Sequence, residues 1–167
     1  MRIIGAIILT AAAASLGIVK ARELKCCSDT LCELNVMLEI MKNEIYTRRS
    51  PLKKAILCVP AGRYTRKFID KLYEELKSLN ERTFSQIWSE CVNNCLMHLS
   101  DEQKSALKEL GSTLGRYDAE LQAQALDRCM ASLSNDYSRL YVELSSKRKM
   151  YIGAGTCMGL ILSIILL

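Results

Sequence analysis

The stretch DAELQAQALDRCMASLSNDYSRLYVELSSKRKMYIGAGTCMGLILSIILL, Asp118–Leu167, decides the fold. Its apolar residues Leu126, Cys129, Leu133, Tyr137, Leu140 and Leu144 recur at steps of three and four, with polar residues between them. That spacing marks an amphipathic helix with one buried stripe. Neither proline nor glycine interrupts it before three consecutive cations, Lys147, Arg148 and Lys149. Beyond them Tyr151–Leu167 is uncharged. At ~1.5 Å per residue this tail reaches roughly 25 Å, close to the ~30 Å hydrocarbon core of a bilayer. It therefore reads as the membrane-spanning end of one long helix. The basic triplet belongs on the cytoplasmic side by the positive-inside rule, which puts the C-terminus on the far side.

The other end repeats this plan in reverse. Uncharged Ile3–Val19 precedes Lys20, Arg22 and Lys25. It is either a signal peptide, with Ala11–Ala14 near a cleavage site, or an uncleaved membrane helix; the heavier positive cluster after it favours the helix. Leu24, Cys27, Leu31, Leu34, Leu38, Met41 and Ile45 then form a heptad seam, which calls for a second long helix as partner. Leu31, Leu34 and Leu38 are expected to pack antiparallel on Leu133, Tyr137 and Leu140.

Shorter helices fill the middle. Ser50 and Pro51 offer an N-cap and a first-turn proline for one that Pro60 and Gly62 close. Tyr64, Phe68, Leu72, Leu76 and Leu79 line the next. Thr83 caps a helix whose apolar stripe is Phe84, Ile87, Trp88, Cys91, Cys95, Leu96 and Leu99. Ser100 and Gln103 make a capping box for one burying Leu107, Leu110 and Leu114. Gly115 stops that helix with φ > 0, and Asp118 caps the last. No strand-like alternation occurs. The expectation is an all-α, membrane-anchored helical bundle: transmembrane helices at 1–19 and 151–167, and a helical domain at 20–150 whose long antiparallel helices hold the shorter ones at their distal end.

Composition narrows the function. Lys20–Met150 holds all 18 acidic residues and every Lys and Arg except Arg2, out of 23. The balance is only mildly basic and lacks zinc-finger or RNA-binding motifs, so nucleic acid is not an expected partner. The eight cysteines include no paired CxxC knuckles. Cys91, Cys95 and His98 fall at i, i+4 and i+7, a spacing that could present three metal ligands on a helix; the same face carries Ile87, Trp88 and Leu99, and buried cysteine as a small hydrophobe is the favoured reading. There is no P-loop and no Ser-His-Asp arrangement, and Glu39, Glu44, Glu74, Glu75 and Glu143 read as a solvated face. No catalytic set, metal or cofactor is therefore expected. Thr47–Lys67 contains Arg48, Arg49, Lys53, Lys54, Arg63, Arg66 and Lys67 and no acid. It is either a solvated face or a docking surface for an acidic protein. In the tail, Gly155 and Gly159 form a small-xxx-small pair that would let membrane helices approach closely.

Two pieces carry a family resemblance: LEIMKNEIYTRRSPLKKA, from Leu38 to Ala55, and GSTLGRYD, from Gly111 to Asp118, where Gly111, Leu114, Gly115 and Asp118 fit a Gly-x-x-Leu-Gly-x-x-Asp core. With the paired apolar ends, nearly the whole chain resembles the stage III sporulation protein AB family, itself similar to the helical cytoplasmic domains of type II secretion platform proteins. The resemblance implies a non-enzymatic component of a complex linking mother cell and forespore. It implies a place in the mother-cell membrane around the forespore, with the central domain cytoplasmic and both termini outside. The implied partners are a secretion-type ATPase, other sporulation membrane proteins, the lipid bilayer and further copies of the chain. The alternative, from the residues alone, is a membrane-anchored redox or metal sensor using Cys91, Cys95 and His98.

Overall fold

The computed structural model describes the backbone of residues 2–77 and 82–166 and the side chains of residues 22–77 and 82–144. The order is α1 (Arg2–Lys42), a π-helical turn (Asn43–Thr47), α2 (Leu52–Leu57), α3 (Arg66–Lys77), α4 (Phe84–Cys95), α5 (Asp101–Thr113) and α6 (Ala119–Leu166). The architecture is all-α, with no strand among the described residues. The chain divides into two compact units, one of Met1–Lys25 with Ser138–Leu167 and the other of Cys26–Tyr137. Among the described residues no helix is long and apolar enough to cross a membrane. The side chains of the expected spans at Ile3–Val19 and Tyr151–Leu167, and the pair Gly155 and Gly159, lie outside those described.

Within Cys26–Tyr137 the two seams behave as the spacing predicts. Leu31, Leu34, Leu38 and Met41 of α1 and Leu126 and Leu133 of α6 are fully or almost fully buried, and Tyr137 is half-buried. Lys42 Nζ donates to Asp127 Oδ1 at 2.7 Å, while Cys27, about four turns earlier on α1, lies in the field of Asp136. Ascending α1 thus meets descending α6, an antiparallel pair. The buried face of α1 is broader than a two-position seam, because Ser28, Thr30 and Met37 are also covered. A helix that broad on its apolar side must serve more than one neighbour. Cys27 Sγ accordingly lies 3.6 Å from Gln103 Oε1 on α5.

Helix starts are set by side chains. Thr83 and Gln86 form a reciprocal capping box at α4, as do Ser100 and Gln103 at α5. Asp118 Oδ1 accepts from Leu121 N at 3.0 Å and caps α6. At α2 the expected boundary moves by one residue: extended Pro51, ψ 147°, is the N-cap and makes no side-chain cap bond. Ser50 is not the cap, since its hydroxyl donates to Glu44 Oε2 at 3.1 Å instead.

The start of α3 is held from a distance. Glu33, on α1, accepts from the backbone N–H of Arg63 through Oε1 at 3.0 Å, and from those of Tyr64 and Thr65 through Oε2 at 2.9 Å each. The Thr65 hydroxyl adds a fourth bond at 3.0 Å. Thr65 C=O accepts the first α3 bond, from Ile69 N, so the Thr65 N–H is one that a helix start leaves unsatisfied, and those of Arg63 and Tyr64 belong to the turn leading into it. A carboxylate there also complements the helix dipole. Gly62 makes the approach possible, because a Cβ at that position would overlap the Glu33 carboxylate. Glycine here answers a steric need as well as ending a segment.

From α3 the core continues through aromatic contacts. Phe68 meets Trp88 edge to face at 5.2 Å between centroids, and Phe84 flanks Trp88 at 5.6 Å. Trp88 is fully buried and donates through Nε1 to Leu107 C=O on α5 at 2.7 Å. On the rim, Arg82 pairs with Glu75 and Glu90, tying the end of α3 to α4.

Seam and rim should respond differently to truncation. Leu34→Ala or Leu133→Ala is expected to cost about 2–5 kcal/mol in denaturant unfolding, by lost burial and a residual cavity. Lys42→Ala loses only a half-exposed ion pair and should cost about 0–1 kcal/mol. Equal costs would contradict the packing of α1 on α6.

Candidate functional site

The most constrained part of the described surface is the turn after α1. Asn43–Thr47 is π-helical, with Arg48 N donating to Asn43 C=O at 3.3 Å and Ser50 N to Glu44 C=O at 2.9 Å. Single π turns recur at functional sites. Arg49 lies in the left-handed region at φ 52°, where a residue with a Cβ gives up about 1–2 kcal/mol. Its guanidinium sits over the Tyr46 ring at 5.7 Å.

Glu44 is the anchor of this turn. It does not belong to a solvated face, as its spacing predicts, but is only 6% exposed. Arg48 Nη1 donates to its Oε1 at 2.6 Å and Ser50 Oγ to its Oε2 at 3.1 Å. A buried carboxylate needs such partners. Arg48 is therefore part of the frame. The other cations of the turn, Arg49, Lys53 and Lys54, are exposed and form no ion pair among the described residues.

The second turn, between α5 and α6, explains each residue of the Gly-x-x-Leu-Gly-x-x-Asp core. Gly111 is buried, and a Cβ there would overlap the Trp88 ring. Leu114 closes α5 with its side chain 2% exposed. Gly115 has φ 78°, a conformation that favours glycine, and its N–H donates to Gln122 Oε1 at 3.2 Å. Asp118 is the α6 cap. Gln122 Nε2 also donates to Tyr117 C=O at 2.6 Å, so one side chain closes the turn in both directions.

The two turns, far apart in sequence, meet. A Cβ on Gly115 would stand 3.1 Å from Leu52 Cδ2. Between them lies an open cleft of about 330 Å³, with Arg49, Pro51 and Leu52 on one wall, Gly115, Ala119 and Gln122 on the other, and buried Ile45 among its lining. Tyr46 and Tyr117 are exposed on these same turns, at 44% and 52%, and Arg116 is exposed beside Gly115.

The remaining candidates are distributed elsewhere. Arg63, Arg66 and Lys67 stand at the start of α3, opposite Glu33; Glu33 precedes Glu44 by eleven residues, roughly 16 Å along a helix. The basic run thus forms two groups, one at each place. The metal spacing does not survive: α4 ends at Cys95, His98 lies beyond it and is exposed, and no cluster able to hold a metal occurs among the described residues. Burial pushes the Cys91 thiol up to about 11 and Cys129 up to about 12, so both are protonated at neutral pH.

An all-α bundle whose distinctive surface is a pair of interlocked turns is the class of protein that fold and site define. A model of the stage III sporulation protein AB family matches residues 2–167, and the chain belongs to that family. Its role is accordingly in sporulation. Neither a curated protein nor a solved structure matches it.

Sequence spacing reveals neither Glu33 nor Glu44 as a partnered acid. Glu33 flanks the seam, and its donors come from about thirty residues away. The one visible signal is the pairing of Gly62 with a following Thr65, a turn before a helix.

Trp88 is the only tryptophan, so its fluorescence reports on Gly111. Gly111→Ala should red-shift the emission and cost about 1–3 kcal/mol by overpacking, outweighing the helix propensity gained; unchanged emission and stability would contradict the close approach. For the thiols, burial raises the folded-state value above the ordinary 9.0. Below pH 9 both folded and unfolded forms keep the proton. Above it the unfolded chain releases protons that the folded chain retains, so stability falls as pH rises toward 11–12. That fall should be shallower in Cys129→Ala, and an identical pH profile would count against burial as the cause.

Proposed function

We infer that this chain is a non-enzymatic, membrane-anchored platform in the sporulation complex linking mother cell and forespore, and that it docks a cytoplasmic secretion-type ATPase. The observation that carries the reading is the pairing of a rigid, strained turn with exposed, unpaired cations at Arg49, Lys53 and Lys54. A buried acid, a π turn and a left-handed arginine are costly features to hold together, and such strain concentrates at sites of recognition or chemistry. Arginine beside exposed tyrosine is also the composition of interface hot spots. Family membership supports a sporulation role, and the resemblance of the sequence to type II secretion platform proteins is what implies the choice of partner. The uncharged stretches Ile3–Val19 and Tyr151–Leu167 support the anchoring.

Unpaired cations steer an acidic partner and accelerate association at low salt. Reversing Lys53 and Lys54 to Glu should weaken co-purification of the ATPase by about tenfold and flatten its salt dependence, with the melting temperature unchanged. Arg48 must be spared, because its reversal would set a second carboxylate against Glu44. Reversal of Lys104 and Lys108 on α5 is the control. Full binding after the Lys53 and Lys54 reversal, or equal loss in the control, would reject this surface as the docking site.

A further inference from the structure

The cleft between the two turns has features that a flat basic surface does not need. Its about 330 Å³ stand at the lower end of the range for ligand pockets, room for one large side chain and little more. Its walls are mixed, apolar at Ile45, Pro51, Leu52 and Ala119 and polar at Arg49, Ser50 and Gln122. The polar side chains there are largely committed, Ser50 to Glu44 and Gln122 to both sides of its own turn. Arg49 is the exception. It lines the cleft without an ion pair among the described residues, its guanidinium over the Tyr46 ring, and keeps a left-handed backbone in which glycine would be the more stable choice. Replacement of Arg49 by glycine would relieve that strain and remove only the side chain.

From this we propose that the cleft is a docking pocket for one apolar or aromatic side chain carried on an acidic segment of a partner protein. The apolar anchor fills the space between Leu52 and Ala119. Carboxylates flanking it pair with Arg49 on the wall and with Lys53 and Arg116 on the rim. Charge complementarity selects this occupant: the one charged side chain lining the cleft is a cation, Arg49, while the rim beyond it carries Lys53 and Arg116 on one count and Asp118 and Glu120 on the other. The proposal rests on the reading of the chain as a docking component, and it adds the pocket and the chemistry of what enters it.

The test uses the full chain in mild detergent and a fluorescein-labelled peptide of Glu and Asp flanking a Leu-Phe pair. The peptide should bind, and binding should fall about tenfold when its acids become Gln or its Leu-Phe becomes Gly-Ser. Ala119→Phe, which fills the cleft without touching a hydrogen bond, should cause a similar loss. Arg49→Gly should weaken binding while leaving the melting temperature equal or higher, which separates a binding role from a folding one. Peptide binding unaffected by Ala119→Phe, or equal for the acidic and Gln peptides, would overturn the pocket. A chain that binds the peptide in this pattern but not the ATPase would sustain the pocket and overturn the choice of ATPase. ATPase binding lost on Lys53 and Lys54 reversal but retained in Ala119→Phe would do the opposite.

Discussion

A single carboxylate, that of Glu33, ties the first half of the bundle together. It accepts three backbone N–H groups and one hydroxyl from Arg63–Thr65, and hydrogen bonds to a charged group contribute about 1.5–3 kcal/mol each. A side chain at position 62 would displace the Glu33 carboxylate from this place. Once α3 starts at this point on α1, Phe68 meets Trp88 and Trp88 meets the backbone of α5. The chain between Glu44 and Gly62 must then return along α1, and α2 presents Leu52 to Gly115. The clamp at Glu33 and the anchor at Glu44 are thus the two ends of one constrained excursion.

The two stretches that resemble the sporulation family are those that meet at the cleft. Gly111 makes room for Trp88, Leu114 closes α5, Gly115 takes a left-handed turn, and Asp118 caps α6. All four build the second turn or set its position. Together with the π turn and Arg49 they form a surface that is rigid, strained and basic, a combination suited to recognition because little ordering remains to be done on binding.

Much of this was legible in the residues themselves. Helical spacing gives both seams, and Thr83, Ser100, Gly115 and Asp118 announce their turns through local chemistry. Long-range polar contacts were not legible. Glu44 reads as a solvated acid by residue type, yet it follows buried Met37 and Met41 along one face and is itself buried in the π turn. Cys91, Cys95 and His98 share a face only if α4 continues past Cys95, and it does not. The basic run looks like one patch in sequence because folding distance is invisible there; α2 and its loop carry Arg63, Arg66 and Lys67 back along α1, away from Lys53 and Lys54.

The Glu33 clamp can be measured amide by amide. Hydrogen exchange at Arg63, Tyr64 and Thr65 should be slow in the native chain and fast in Glu33→Ala, with Glu33→Gln between them because an amide oxygen still accepts. The first turn of α3 should loosen with them, whereas the α6 amides around Leu126 and Leu133 keep their protection. Unchanged exchange at these three amides in Glu33→Ala, or a uniform loss across all helices, would contradict the account.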